Sequence, residues 1–398
     1  MTHASSRQIL LALLAGSAAL VVVHALGRFA FTPLLPHLLA DGLFSLEQGA
    51  QLATWNYIGY LLGALLALAL YAPPRLQRGL LAALLLNALL TLAQGFTEHY
   101  YALLGLRLFN GISNGVVFVL APALVLEWLA QRQRASLSGL VYLGFAAGLL
   151  VSGWLADVPA DRLSGAARWW PVAALALPLA LLSAWLLAGL RLQPQQVGPA
   201  TQRSALFDRS STPLFLAYAG AGLGYILPMT FLPTLAQDQL PAGHALITGA
   251  WRWTALACLV SIPLWNYLGA RLGDRRALLG TYLLQVLGTA APLLWPGAVG
   301  VLLCALLVGG TFVGSVFLTQ RLARSLQPHQ GPRLSAALIA LYGGAQLAGP
   351  WLAGLWLGAG GTLTQSFVLG VGALFWALAW TWAVPGATPF RSAQGVTS

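Results

Sequence analysis

The chain has 398 residues, 58% hydrophobic and 7% charged, with a formal net charge of +11 and a mean hydropathy of +0.77. That composition excludes a soluble globular protein and marks an all-α polytopic membrane protein. The positive balance would suggest nucleic acid in a soluble chain, but short loops that collect arginine account for it here, and no nucleic-acid partner is expected.

The first apolar run extends from about residue 9 to 39. Arg7 and Gly16-Ser17-Ala18 give it the look of a cleaved signal, but the run is too long for one and reads as a retained spanning helix. It closes with Gly27-Arg-Phe-Ala-Phe-Thr-Pro-Leu-Leu-Pro36. An arginine at hydrocarbon depth is costly and faces a cavity or a partner in preference to lipid. Prolines there remove backbone bonds, which is tolerated only inside protein or beside water. Gly27, Pro33 and Pro36, with Gly224, Pro228 and Pro233 further on, are therefore the expected helix-breaking and gating positions along a translocation pathway.

A spanning helix needs about 20 apolar residues. Eleven more such stretches follow, near 46–71, 79–96, 100–127, 136–156, 169–190, 213–236, 245–268, 277–295, 297–325, 334–358 and 365–384. With the N-terminus inside, fifteen arginines fall in cytoplasmic loops and only Arg162 and Arg168 outside, so both termini are expected in the cytoplasm. Cys258 and Cys304 lie within spans without metal-ligand spacing and read as packing residues.

The polar segment 191–211 falls at the midpoint and reads as a cytoplasmic linker between six-helix bundles at 1–190 and 212–398. The halves repeat. At an offset of 197, Gly27, Pro36 and Asp41 match Gly224, Pro233 and Asp238, and Trp154 matches Trp351. Two parallel six-span repeats fit a secondary transporter with its site between them at mid-membrane.

Three arginines lie within spans: Arg28, Arg107 and Arg252. A guanidinium fork suits a carboxylate or phosphate, so all three are candidates for binding an anion in one outward-opening cavity. The competing reading has them tie helices together through backbone carbonyls or snorkel outward. All nine acidic residues fall in or near loops, so the missing counter-charge favours an anionic substrate. Arg107, Asn110 and Asn114 share one helical stripe. Beside them Gly111 and Gly115 form a GxxxG surface for close packing. Asn56 with Tyr60, and Tyr342 with Gln346, are i, i+4 pairs able to hydrogen-bond either a substrate or another helix. Trp251 and Trp253 read as interfacial belt residues. His24, one turn before Arg28, is the candidate for proton coupling, against a merely hydrogen-bonded imidazole.

Over nearly its whole length the chain resembles the major facilitator superfamily. Arg107-Leu-Phe-Asn-Gly111 resembles its intramembrane RxxxG element, and Gly139, Gly144, Gly148 and Gly153 resemble the glycine-rich fifth span of its antiporters. Arg271, Gly273, Asp274 and Arg275 keep part of its cytoplasmic loop signature, of which Arg75 and Arg78 hold only the basic portion. Gly27 to Pro36, followed by Trp55-Asn-Tyr-Ile-Gly-Tyr-Leu-Leu-Gly63, resembles the bacterial YbfB/YjiJ-type group. The resemblance implies twelve transmembrane helices in two pseudo-symmetric bundles, multi-pass in the bacterial inner membrane, acting as a monomer. The substrate is expected to be a small organic anion moved by alternating access, with protons as a candidate partner and no cofactor or metal. Export or exchange is favoured, because an anionic charge gains about 2.3 kcal/mol per 100 mV on leaving a negative interior.

Efflux of drug-like or amphipathic compounds is the alternative within transport. A membrane-embedded enzyme is the alternative outside it, and the six scattered histidines form no HExxH, paired-carboxylate or GxSxG pattern to support one.

Overall fold

The computed structural model describes residues 5–70, 73–134, 137, 140–158, 162–192, 207–326 and 331–385. The expected linker lies mostly outside these. Among the described residues the helices in chain order are α1 Ser6–Ala40, α2 Leu46–Ala69, α3 Pro73–Ala93, α4 Tyr100–Ala130, α5 Val141–Ala156 and α6 Trp170–Ala188. They continue with α7 Thr212–Gln239, α8 Leu246–Leu272, α9 Asp274–Leu294, α10 Ala298–Leu326, α11 Gly331–Gly358 and α12 Leu363–Ala383. Ten of the described helices are long and apolar enough to cross a membrane, α5 is a shorter apolar helix of 16 residues, and α2 runs for 24.

Local chemistry sets several boundaries. At α2, Ser45 accepts from the Gln48 amide while the Gln48 side chain accepts from the Ser45 amide, and Thr362 with Gln365 does the same at α12. A single residue, Gly273, joins α8 to α9 with φ of +86°, a turn that favours glycine. The loop signature then acts within the last six helices. Asp274 pairs with Arg321 of α10 at 2.8 Å, and Arg275 donates to the Trp382 carbonyl at 2.7 Å at the end of α12, where a cation complements the helix dipole.

The first six helices pack mainly on one another, as do the last six, and the two sets meet along α1 with α7, α2 with α11 and α5 with α8. Residues 22–36 of α1 are all buried, and α7 is buried along most of its length. A helix buried on every side belongs at the centre of a bundle. The Thr32 hydroxyl donates to the Met229 carbonyl at 2.8 Å, and these positions are 197 apart, the repeat offset itself. The pseudo-twofold axis therefore passes between α1 and α7 at this contact.

Two expectations are corrected. Pro36 lies inside the last α-helical segment of α1, and Pro228 and Pro233 lie inside an uninterrupted α7, so these prolines do not break their helices. Burial in a tight bundle lets the helix continue past one missing bond at a time. The irregularity in α1 lies upstream, where Val21–Phe29 winds as a π-helix. The regular pattern resumes with the Leu34 amide on the Ala30 carbonyl at 3.2 Å, and Pro33, three residues into that segment, lacks an amide where little is lost. Gly224 is a packing position, since a Cβ there would lie 2.4 Å from Leu374 of α12. Trp251, expected at the interface with lipid, is fully buried between α5 and α8, and its indole donates to the Leu149 carbonyl and Ser152 hydroxyl at 3.0 Å each.

Candidate functional site

Arg28 sits in the π-helical turn of α1, 2% exposed, where α1, α2, α7 and α11 converge. A π turn widens the helix and is a frequent mark of functional positions. The Arg28 guanidinium lies over the rings of Tyr57 at 4.4 Å and Tyr60 at 4.5 Å, both from α2, and its Nη2 donates to Gln346 Oε1 of α11. Gln346 in turn donates to the Tyr225 hydroxyl of α7 at 2.7 Å. The Nε and Nη1 groups of Arg28 are buried without a hydrogen-bond partner, and among the described residues no carboxylate pairs with it. Cation–π contact is worth about 2 kcal/mol when desolvated, so the rings stabilise the charge without neutralising it.

His24 lies one turn away. Its Nδ1 is 3.0 Å from Asn114 Oδ1, and its ring stacks on Phe118 at 4.2 Å. Asn114 also donates to the Val23 carbonyl at 2.8 Å in the widened turn. Tyr342 is buried on α11 beside Gln346, and its hydroxyl, next to that of Tyr225, has no partner in hydrogen-bonding geometry. The structure thus brings together Arg28, His24, Tyr60, Asn114, Tyr342 and Gln346.

The remaining candidates lie elsewhere. Arg107 donates to the Gly27 carbonyl at 3.2 Å and stacks on Phe31 at 4.5 Å, which is the helix-tying arrangement. Asn56 turns away from Tyr60 toward α4, where it donates to the Arg107 carbonyl at 2.9 Å. Asn110 joins α4 to α3 by donating to Thr91 at 3.1 Å. Arg252 has a carboxylate after all: it pairs with Asp157 just beyond α5, 95 residues away in sequence, so it is not an unpartnered cation of a shared cavity. Pairing across the two halves hides this partner from a reading that takes one span at a time.

Tyr57 and Tyr225 belong to the cluster and are missing from the sequence-based set. The repeat carried a signal for one of them, since Tyr225 is Arg28 displaced by the offset of 197. A separate cleft of about 480 Å³, lined by Leu46, Thr234, Asp238, Leu357 and Thr362 among others, contains none of the cluster residues.

Among the described residues, twelve helices in two related sets, with a buried cation and polar groups between them, form the major facilitator fold. Residues 20–381 match the family model described as "Uncharacterised MFS-type transporter YbfB", and the chain belongs to that family. It is 27% identical over 275 residues to a "Putative metabolite transport protein" of Haemophilus influenzae; the match covers 64% of this chain and 65% of that relative. Among solved structures it is similar to a mutant of the nucleoside transporter NupG, with a TM-score of 0.72, 14% identity, and 94% of this chain and 100% of that one covered. It is also similar to the D-xylose-proton symporter, with a TM-score of 0.72, 16% identity and coverage of 96% and 98%. At these identities the likeness is one of fold alone.

Proposed function

We propose that the protein is a secondary active transporter that carries a small organic anion by alternating access, with export or exchange favoured over uptake. The observation that carries the reading is Arg28, a buried guanidinium with two unpartnered nitrogens and no carboxylate among the described residues, held between the halves. A bound anion supplies the missing counter-charge. The bundles 1–190 and 212–398 rock about this point, joined by the cytoplasmic linker 191–211, with the chain in the bacterial inner membrane and both termini inside. In that orientation the contacts of Thr32 with Met229 and of Asp157 with Arg252 lie toward the outside and hold that side closed. His24 is the proton-coupling candidate, within reach of the same turn.

The test is transport in proteoliposomes over a panel of organic acids, sugars and lipophilic cations at two pH values, read both as current and as counterflow so that electroneutral exchange is also seen. Movement of an organic acid that is lost in Arg28→Ala is the expected result. Transport that survives in Arg28→Ala, or a response confined to lipophilic cations, rejects the anion site and leaves drug efflux as the better reading.

A further inference from the structure

The chemistry surrounding Arg28 narrows the kind of anion. On α7, α10 and α11 four rings lie nearly parallel. Tyr218 and Tyr342 have centroids 4.2 Å apart at 15°, Tyr342 and Tyr225 5.4 Å at 10°, and Tyr225 and Phe312 5.6 Å at 8°. Tyr218 and Tyr225 are seven residues apart on α7 and so present one face to this stack. On the other side Tyr57, Tyr60 and Phe29 surround the guanidinium by their faces. Gln346 links the two sides, accepting from Arg28 and donating to Tyr225.

Among the described residues, the unpartnered donors around the guanidinium are Nε and Nη1 of Arg28 and the hydroxyl of Tyr342; those of Tyr282 and Gln320 lie at the far end of the stack, beside Tyr218. One guanidinium neutralises a single negative charge, and one phenol adds a hydrogen bond to it. A dianion or a polyhydroxylated acid would leave polar groups buried against rings without partners, a loss larger than the stabilisation from packing its body on those rings. A monoanion with a flat, weakly hydrated body loses little, because ring faces and edges are what the walls offer it.

We propose, building on the anion reading above, that the substrate is an aromatic monoanion: a planar ring bearing one carboxylate or sulfonate, with the charged group on Arg28 and the ring against Tyr225 and Tyr342. The anion enters as the halves separate on one side, and its ring takes up contacts that the stacked rings make with one another in the closed arrangement.

The test uses the full chain in detergent, with melting temperature read against benzoate, benzenesulfonate, propionate, methanesulfonate, succinate and neutral toluene, followed by counterflow in proteoliposomes with the same compounds. A ligand that binds only the folded state raises the melting temperature with concentration. Benzoate and benzenesulfonate are expected to act at concentrations at least ten-fold lower than their aliphatic counterparts, with succinate and toluene silent and every shift lost in Arg28→Ala. Tyr342→Leu should bring the aromatic and aliphatic anions to within about three-fold of each other, while Tyr342→Phe keeps the preference. Should Tyr342→Leu fail to fold, the wild-type panel decides alone. Equal response to aromatic and aliphatic monoanions, abolished by Arg28→Ala, overturns the ring and leaves the anion site standing. Preference for succinate overturns the single charge. Silence toward every anion in both assays, or toluene acting as well as benzoate in Arg28→Ala, overturns the anion site itself.

Discussion

Arg107 and Arg28 each bury a guanidinium in a helix, at 3% and 2% exposure, but their partners differ in kind. Arg107 donates to a carbonyl of α1 and stacks on the Phe31 ring, with Nε alone left without a partner, whereas Arg28 leaves both Nε and Nη1 without one. Arg107→Ala should therefore cost about 2–4 kcal/mol of stability, the sum of a charged hydrogen bond and a stacked cation. Arg28→Ala should abolish transport at a smaller stability cost than Arg107→Ala, because loss of the Gln346 bond and the ring contacts is offset by removal of a buried charge that no carboxylate pairs among the described residues. Melting curves of both variants, beside their transport rates, check this; transport lost in Arg107→Ala with stability intact would place Arg107 in the site. Asp41, just past α1, offers a second measurement. Its carboxylate accepts from the Arg168 guanidinium and from the Gly165 amide at 2.8 Å, and these bonds hold its pKa below the ordinary aspartate value. A carboxyl depressed on folding adds stability above its unfolded pKa and loses it as pH falls through the folded one. Wild-type melting temperature should thus drop more steeply below about pH 4 than that of Asp41→Asn, which should already be the less stable at neutral pH. Parallel curves would show that the pair contributes nothing.

At the level of elements, the closest contact is α2 against α4. A Cβ on Gly63 would lie 2.0 Å from the Ile112 carbonyl, and one on Gly111 2.1 Å from the Asn56 carbonyl, so the two backbones touch. Both glycine pairs, Gly59 with Gly63 and Gly111 with Gly115, stand four residues apart in the sequence, and such spacing favours close packing in membranes. Gly63→Ala should cost about 1–3 kcal/mol or more through overpacking. Gly105→Ala, on the facing helix α4 with open space around it, should be neutral. Melting temperature and monodispersity in detergent distinguish them, and equal behaviour would mean that the helices slide apart freely. The π-helical turn of α1 was legible only in part. Gly27, Pro33 and Pro36 flagged irregular backbone, but the widened turn falls before the prolines, where the Val23 and Gly27 carbonyls accept from Asn114 and Arg107. Those donors come from another helix, which a single-span reading does not include.

For the whole molecule, Asp157 makes an ion pair between the halves. It pairs with Arg252 of α8 and lies 3.9 Å from His37 of α1. If this pair holds the outer side closed, Asp157→Asn and Arg252→Gln should each raise the labelling rate of a cysteine placed at Thr234 by at least three-fold. The assay uses an impermeant maleimide on chain with Cys258→Ser and Cys304→Ser, both native thiols being buried. The charge swap Asp157→Arg with Arg252→Asp should restore slow labelling. Rates indifferent to all three changes would mean that the other contacts, Thr32 with Met229 and Trp251 with α5, close that side.

The sequence by itself determined that this is a membrane protein of twelve helices in two related sets, because apolar length, loop charge and an internal repeat are properties of contiguous residues. Its family was legible for the same reason, in the motifs from Gly27 to Pro36 and from Trp55 to Gly63. Only the tertiary structure decided how each arginine is partnered. Arg28, Arg107 and Arg252 look alike along the chain. What separates them is a glutamine 318 residues from Arg28, a glycine carbonyl 80 residues from Arg107 and a carboxylate 95 residues from Arg252. Charge is neutralised through space, and the repeat places residues from opposite halves on one axis.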